Sequence, residues 1–238
     1  MILLDIEGTT TPVEFVYRTL FGFARENFST FLHAASDEPE VRDCIADLKA
    51  QCAADRSERK DPPEWRTGAA ELEIDSAARY ALWLMDRDSK TRPLKSLQGL
   101  IWQEGYRSGK LHGEIYPDVL PAFERWRKQG KEISIYSSGS ALAQEMLFRT
   151  IPAVDLTTRI KAFFDTRVGN KTNPESYKKI ASISGFQENR ILFLSDTVAE
   201  LDAALSAGMR TALVVRSSKE ENDALSGHPI IKNFDELA

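Results

Sequence analysis

The sequence predicts an α/β protein in which a parallel sheet is covered by helices and interrupted by one all-helical insertion. Short apolar runs that stop at polar or acidic residues recur at positions 1–4, 132–136, 162–165, 191–194 and 211–215, as buried parallel strands do. Segments of helical periodicity alternate with them, which implies right-handed crossovers between parallel strands. From residue 14 to about 108 the helical pattern continues with no strand inside it. The expected division is a core domain of residues 1–14 and 114–238 around a helical domain of 15–113.

The first run, Met1-Ile2-Leu3-Leu4, ends at Asp5-Ile6-Glu7-Gly8 and three threonines. Asp5 and Glu7 are two apart on an extended chain, so they point to the same side of the strand end. The insertion opens with Phe15, Leu20, Phe23, Phe28, Phe31 and Leu32 on a broad apolar face. Further helices are expected over 41–54, 72–85 and 97–106, with a charged break at 55–63 that ends in Pro62-Pro63. Beyond Tyr116-Pro117-Asp118-Val119 a helix runs to Gly130 and a strand over 132–136 ends at Ser137-Ser138-Gly139-Ser140. Helix 141–148, strand 162–165 and helix 174–184 follow, the last with Pro174 in its first turn. The run 191–194 is the most apolar of the chain and stops at Ser195-Asp196, before a helix over 198–207 closed by Gly208. Strand 211–215 and a short strand and turn from Ile230 to Leu237 complete the pattern.

With 238 residues, 42% of them hydrophobic, the chain can bury a sizeable core. Its net charge of −5 argues against a nucleic-acid or anionic-membrane surface, while leaving room for a small anionic substrate where positive charge is local. No apolar run is long enough for a membrane span, and Asp5 breaks the hydrophobic start too early for a signal peptide, so a cytoplasmic protein is expected. Cys44 and Cys52 are read as small buried hydrophobes. Eight residues apart on a helix, they sit about 12 Å from each other, too far for a disulfide.

In open α/β sheets ligands collect beyond the carboxyl ends of the strands. Asp5, Glu7 and Asp196 there make a hard oxygen site suited to magnesium. Ser137, Ser138 and the amides opening the next helix form a neutral anion cradle, and Lys171 adds one mobile positive charge. Such a group binds a phosphoryl ester, with Asp5 placed to attack it and form an aspartyl-phosphate. Taken singly, each residue has a plainer reading: a Thr-rich turn, a helix-capping serine, a surface lysine.

Asp5-Ile6-Glu7-Gly8-Thr9-Thr10, Ser137-Ser138-Gly139-Ser140, Lys171 and Ser195-Asp196 resemble, in order, the four motifs of the haloacid dehalogenase (HAD) superfamily. The helical insertion falls between the first two, where one type of family cap domain lies. Glu7 with the following Gly-Thr-Thr, and Tyr136-Ser137-Ser138-Gly139-Ser140, are similar to the enolase-phosphatases of methionine salvage, the acireductone synthases. So are Tyr116-Pro117-Asp118-Val119, Phe164-Asp165-Thr166 and Ala199-Glu200-Leu201-Asp202-Ala203-Ala204.

The resemblance implies a HAD-like Rossmannoid core with a helical cap. It further implies magnesium-dependent conversion of 2,3-diketo-5-methylthiopentyl-1-phosphate to the acireductone 1,2-dihydroxy-3-keto-5-methylthiopentene and phosphate. By the same resemblance Asp5 is nucleophile and metal ligand, and Asp196 a further ligand. Glu7 is a metal ligand whose carboxylate is left for proton transfer, and Ser137, Ser138 and Lys171 hold the phosphate. Glu200, one helical turn past Asp196, either orients Lys171 or water or simply faces solvent. The loops Asn170-Lys171-Thr172-Asn173-Pro174 and Arg216-Ser217-Ser218-Lys219 depart from the family's usual sequence. A phosphatase of another small phosphate ester, and a non-enzymatic magnesium-binding module, are the competing readings. No nucleic-acid or membrane partner is expected, and the chain is expected to be a monomer.

Overall fold

Six strands form one sheet in the order β3-β2-β1-β4-β5-β6, and all neighbours run parallel. The computed structural model describes residues 1–216 and 227–237, so the expected departure at Ser217-Ser218-Lys219 lies outside the described residues. The strands are β1 (Ile2–Leu4), β2 (Ile133–Tyr136), β3 (Ala162–Phe164), β4 (Leu192–Ser195), β5 (Arg210–Val214) and β6 (Ile230–Ile231). β1 lies between β2 and β4, with Leu3 opposite both Ser134 and Phe193. Every residue of β1 and β2 is buried. Covering both faces of a parallel sheet removes the alternation an exposed face would show, hence the unbroken apolar runs.

The helices of the α/β unit are α5 (Val119–Lys128), α6 (Ala141–Arg149), α7 (Pro174–Ser184) and α8 (Val198–Ser206). Tyr177, Ile180 and Ala181 from α7 pack with Leu201, Ala203 and Ala204 from α8 onto Leu3, Tyr136, Phe193 and Leu213 of the sheet. α7 has the punctuation its sequence suggests. Asn173 accepts the Glu175 amide at 3.0 Å, Pro174 fills the first turn, and Gly185 ends the helix at φ 72°.

The chain divides into two compact units, one of Met1–Val16 with Leu111–Ala238 and the other of Tyr17–Lys110. The second is helical: α1 (Phe21–Ala35), α2 (Pro39–Ser57), α3 (Ala70–Met85) and α4 (Arg92–Arg107). Phe28, Leu32, Val41, Leu48, Tyr80, Leu84, Leu97 and Ile101 form its core, and Cys44 and Cys52 are buried there as free thiols. Its one buried carboxylate, Asp55, accepts the Tyr80 hydroxyl at 2.6 Å and Lys60 Nζ at 3.0 Å. Several boundaries differ from the sequence pattern, α2 running through residue 57 into the charged break expected from 55. A π-helical stretch, Phe15–Leu20, precedes α1. α4 begins five residues before the expected 97, because Thr91 is extended and Pro93 falls in the first turn, where its missing N–H is harmless.

Candidate active site

Asp5 follows β1 directly, and its amide continues the pairing with β4 by donating to Leu194 O at 3.0 Å. The chain then turns tightly on one acceptor: the amides of Thr9, Thr10 and Thr11 all donate to Ile6 O, at 3.1, 2.9 and 2.9 Å. Gly8 supplies the left-handed conformation this turn needs, at φ 69°. It is required sterically as well, since a Cβ there would lie 2.1 Å from Asp196 Oδ2. The absent side chain is therefore what brings the carboxylate of the β4–α8 junction against the β1 turn.

Lys171 reaches Asp5 from the loop between β3 and α7. Its Nζ lies 2.5 Å from Asp5 Oδ1 and 2.6 Å from Glu200 Oε2, and the residue is buried. The expected mobile charge is thus a fixed one. Its loop is tied at three points: Tyr177 Oη donates to Lys171 O at 2.7 Å, Ser176 Oγ to Asn170 O at 2.7 Å, and Tyr136 Oη to Gly169 O at 3.0 Å. Glu200 faces the lysine rather than solvent. Ser195 Oγ joins the group at 3.0 Å from Glu200 Oε2 and 3.3 Å from Asp5 Oδ2, so its single proton is shared between two carboxylates.

Glu7 lies against Ser137. Ser137 Oγ lies 3.4 Å from Glu7 Oε2, and among the described residues no group of three or more His, Cys, Asp or Glu side chains is arranged to hold a metal. The anion cradle is narrower than the sequence suggested. The Ala141 amide donates to Asp165 Oδ2 at 3.0 Å and that of Ala143 to Ser140 Oγ at 3.2 Å, so neither opens toward a ligand. Ser137 is buried beside Glu7, whereas Ser138 is exposed on the turn that follows.

The family model for haloacid dehalogenase-like hydrolases matches residues 1–208. An enolase-phosphatase E1 of Synechococcus elongatus is 43% identical over 236 residues, covering 99% of this chain and 96% of the relative. The chain belongs to the enolase-phosphatase E1 family. Other enolase-phosphatase E1 relatives are those of Sorangium cellulosum, 42% identical over 100% of this chain and 96% of the relative, and Pseudomonas aeruginosa, 40% identical over 99% and 96%. Among solved structures, the UTR4 protein of Saccharomyces cerevisiae superposes with a TM-score of 0.73 at 30% identity, covering 100% of this chain and 99% of that one.

In this enolase-phosphatase E1 chain the Lys171 ammonium holds the carboxylates of Asp5 and Glu200, while Glu7 lies beside Ser137 and Asp196 against Gly8. Carboxylates asked to ionise side by side out of water resist doing so. Burial and then the Asp5 charge push Glu200 up to about 7, with Lys171 and Ser195 pulling the other way. Burial and Asp5 likewise raise Glu7. Burial alone would lower Lys171, but the charges of Asp5 and Glu200 outweigh it and hold the lysine above its ordinary value. Lys171 is therefore charged throughout the physiological range. Ser195 and Asp165 had no role in the sequence reading, because a strand-end serine and a loop aspartate have no spacing that separates them from ordinary caps.

Proposed function

We propose that the chain enolises and then dephosphorylates 2,3-diketo-5-methylthiopentyl-1-phosphate, with Asp5 as nucleophile, in methionine salvage. Enolase-phosphatase E1 relatives at 40–43% identity and the fixed Lys171–Asp5 contact at the sheet's carboxyl edge support this reading. In the first step Glu7 removes a proton from the carbon bearing the phosphate ester. The electron pair forms the carbon–carbon double bond, and the adjacent carbonyl oxygen takes a proton from solvent to become the enol hydroxyl, balanced when Glu7 releases its last proton to solvent at the end of the cycle. Asp5 then attacks phosphorus, the bond from phosphorus to the substrate oxygen breaks, and Glu7 returns its proton to that oxygen. Water next attacks the phosphorus of the aspartyl-phosphate, giving its proton to Glu7, and releases phosphate and Asp5. The raised affinity of Glu7 for a proton suits this exchange. Ser137, Ser138 and Lys171 hold the phosphate oxygens, and Glu200 and Ser195 keep Lys171 and Asp5 in register.

The donor set fits magnesium: Asp5 directly follows β1 and Asp196 packs against Gly8, where only glycine leaves room for its hard carboxylate. These two carboxylates and the Glu7 main-chain carbonyl would hold the ion, with Glu7's side chain left for proton transfer. When bound, magnesium supplies positive charge that draws the phosphate against Asp5. The helical unit, inserted between the first two motifs, is read as the cap domain, corresponding to the expected 15–113 between core segments 1–14 and 114–238. No helix among the described residues is long and apolar enough to cross a membrane, and we place the protein in the cytoplasm, acting as a monomer.

The test is ultraviolet monitoring of the diketone phosphate with magnesium and enzyme. An enol band that rises and decays, with one phosphate released per substrate, is expected. Phosphate release from an aryl phosphate with no turnover of the diketone would assign the site to another ester. Release from neither would reject a phosphatase.

A further inference from the structure

Arg216 stands just beyond β5, on the same sheet edge as Asp5 and Asp196 but one strand further out. Its guanidinium is buried, with 6% of the side chain exposed. Nε and Nη2 both donate to the main-chain carbonyl of Thr9, at 3.0 and 2.5 Å, and Nη1 donates to Asp118 Oδ2 at 2.8 Å. The guanidinium carbon lies 4.3 Å from the centroid of Tyr116 and 4.6 Å from that of Phe234. Asp118 Oδ2 also accepts the Phe234 amide at 2.6 Å, and the Tyr116 amide donates to Thr10 O at 3.0 Å. Asp118 sits at the N-cap of α5 yet makes no capping bond with its side chain, which is turned to Arg216 and Phe234 instead.

We propose that Arg216 is a positioning residue of the reaction, acting through the Thr9 carbonyl on the turn that carries Glu7 and Gly8. The proposal rests on the reading of Asp5 as nucleophile. The turn is held from inside by Ile6 O and on the Gly8 side it abuts Asp196. The two N–H groups on Thr9 O are its hold from the β5 side. A planar fork fixed between two rings loses little further freedom on making these bonds. Without the fork, the turn is free to drift relative to Asp196 while β1 and β4 stay paired, and an error of about 1 Å at a catalytic group costs about a hundredfold in rate. The simpler alternative is that Arg216 only neutralises buried Asp118.

Variants separate the two roles. Asp118→Asn removes the charge pair but leaves the fork on Thr9, whereas Arg216→Met with Asp118→Asn removes the fork without stranding a buried charge. Turnover of an aryl phosphate at saturating magnesium, and hydrogen exchange of the Gly8 to Thr11 amides, are measured for wild type and both variants. The double variant should lose about a hundredfold in kcat with KM changed by less than about threefold, and its turn amides should exchange faster. Asp118→Asn should stay within about threefold of wild type in kcat. Added guanidinium ion, below unfolding concentrations, should recover part of the double variant's kcat and none of an Asp5→Asn enzyme's. A double variant with wild-type kcat and exchange, or an Asp118→Asn enzyme as impaired as the double variant, would overturn the proposal. Inactive wild type would instead refute the phosphatase reading, and the catalytic role of Arg216 with it.

Discussion

Replacing Gly8 by alanine tests whether the site depends on Asp196 pressing against the β1 turn. Gly8 and Gly185 have nearly the same backbone conformation, φ 69° and 72°, so an added methyl carries the same left-handed strain at both. That strain is about 1–2 kcal/mol. The surroundings differ: a Cβ on Gly185 meets nothing within 4 Å, whereas on Gly8 it would stand 2.1 Å from Asp196 Oδ2 and 2.7 Å from its Cγ. Restoring ordinary contact of about 3.4 Å requires the carboxylate or the turn to retreat by about 1.3 Å. Both variants should therefore lose about 1–2 kcal/mol in urea unfolding, Gly8→Ala somewhat more. Only Gly8→Ala should lose magnesium affinity in a titration, together with about a hundredfold in phosphate release. If both alanines titrate magnesium alike, the seating of Asp196 against Gly8 has no part in metal binding and the donor set assigned above is wrong.

Asp5→Asn should lower turnover by about a thousandfold or more, since an amide neither attacks phosphorus nor carries the charge that Lys171 faces; near-normal phosphate release would exclude covalent catalysis through Asp5. Glu7→Asp should slow enolisation more than hydrolysis of a simple ester, because the shortened carboxylate falls about 1.5 Å short of the substrate carbon; equal losses in the two assays would confine Glu7 to metal binding. Glu200 is held at about 7 in the fold against an ordinary 4.5, so the folded chain binds the extra proton between those values. Its contribution to stability is full below the lower value and is lost as pH rises to the upper one. Urea unfolding in chelator should show this decline in wild type and a flatter profile in Glu200→Gln.

The strands were legible because burial on both faces leaves an apolar run, and each run stops where the chain reaches the sheet edge. β1 and β2 could be read in this way down to the residue that ends them and β4 to within one residue, and with them the positions of Asp5, Ser137 and Asp196. What those residues touch was not legible. The attachment of Lys171 depends on a loop folded over Tyr177 and Ser176, and its position in the sequence does not distinguish a buried ammonium from a surface one. The capture of the Ala141 amide by Asp165 depends on register across the β2–β3 pair, and that capture narrows the cradle expected at Ser138. The contact of Glu7 with Ser137 joins residues 130 positions apart, and no local pattern encodes it. The hold of Arg216 on Thr9 joins residues 207 positions apart, which no local pattern encodes.

Placing β1 between β2 and β4 also sets the order in which the chain can assemble. β1 precedes both of its partners, which begin at Ile133 and Leu192, so its two hydrogen-bonding edges wait while the intervening chain is made. The helical unit Tyr17–Lys110 closes its contacts over a far shorter span and is complete before either partner exists. Local contacts form early and distant parallel pairings late, because loop closure must precede their reward. Met1-Ile2-Leu3-Leu4 is thus the segment for which protection during synthesis matters most, and slow emergence of β4 prolongs its exposure.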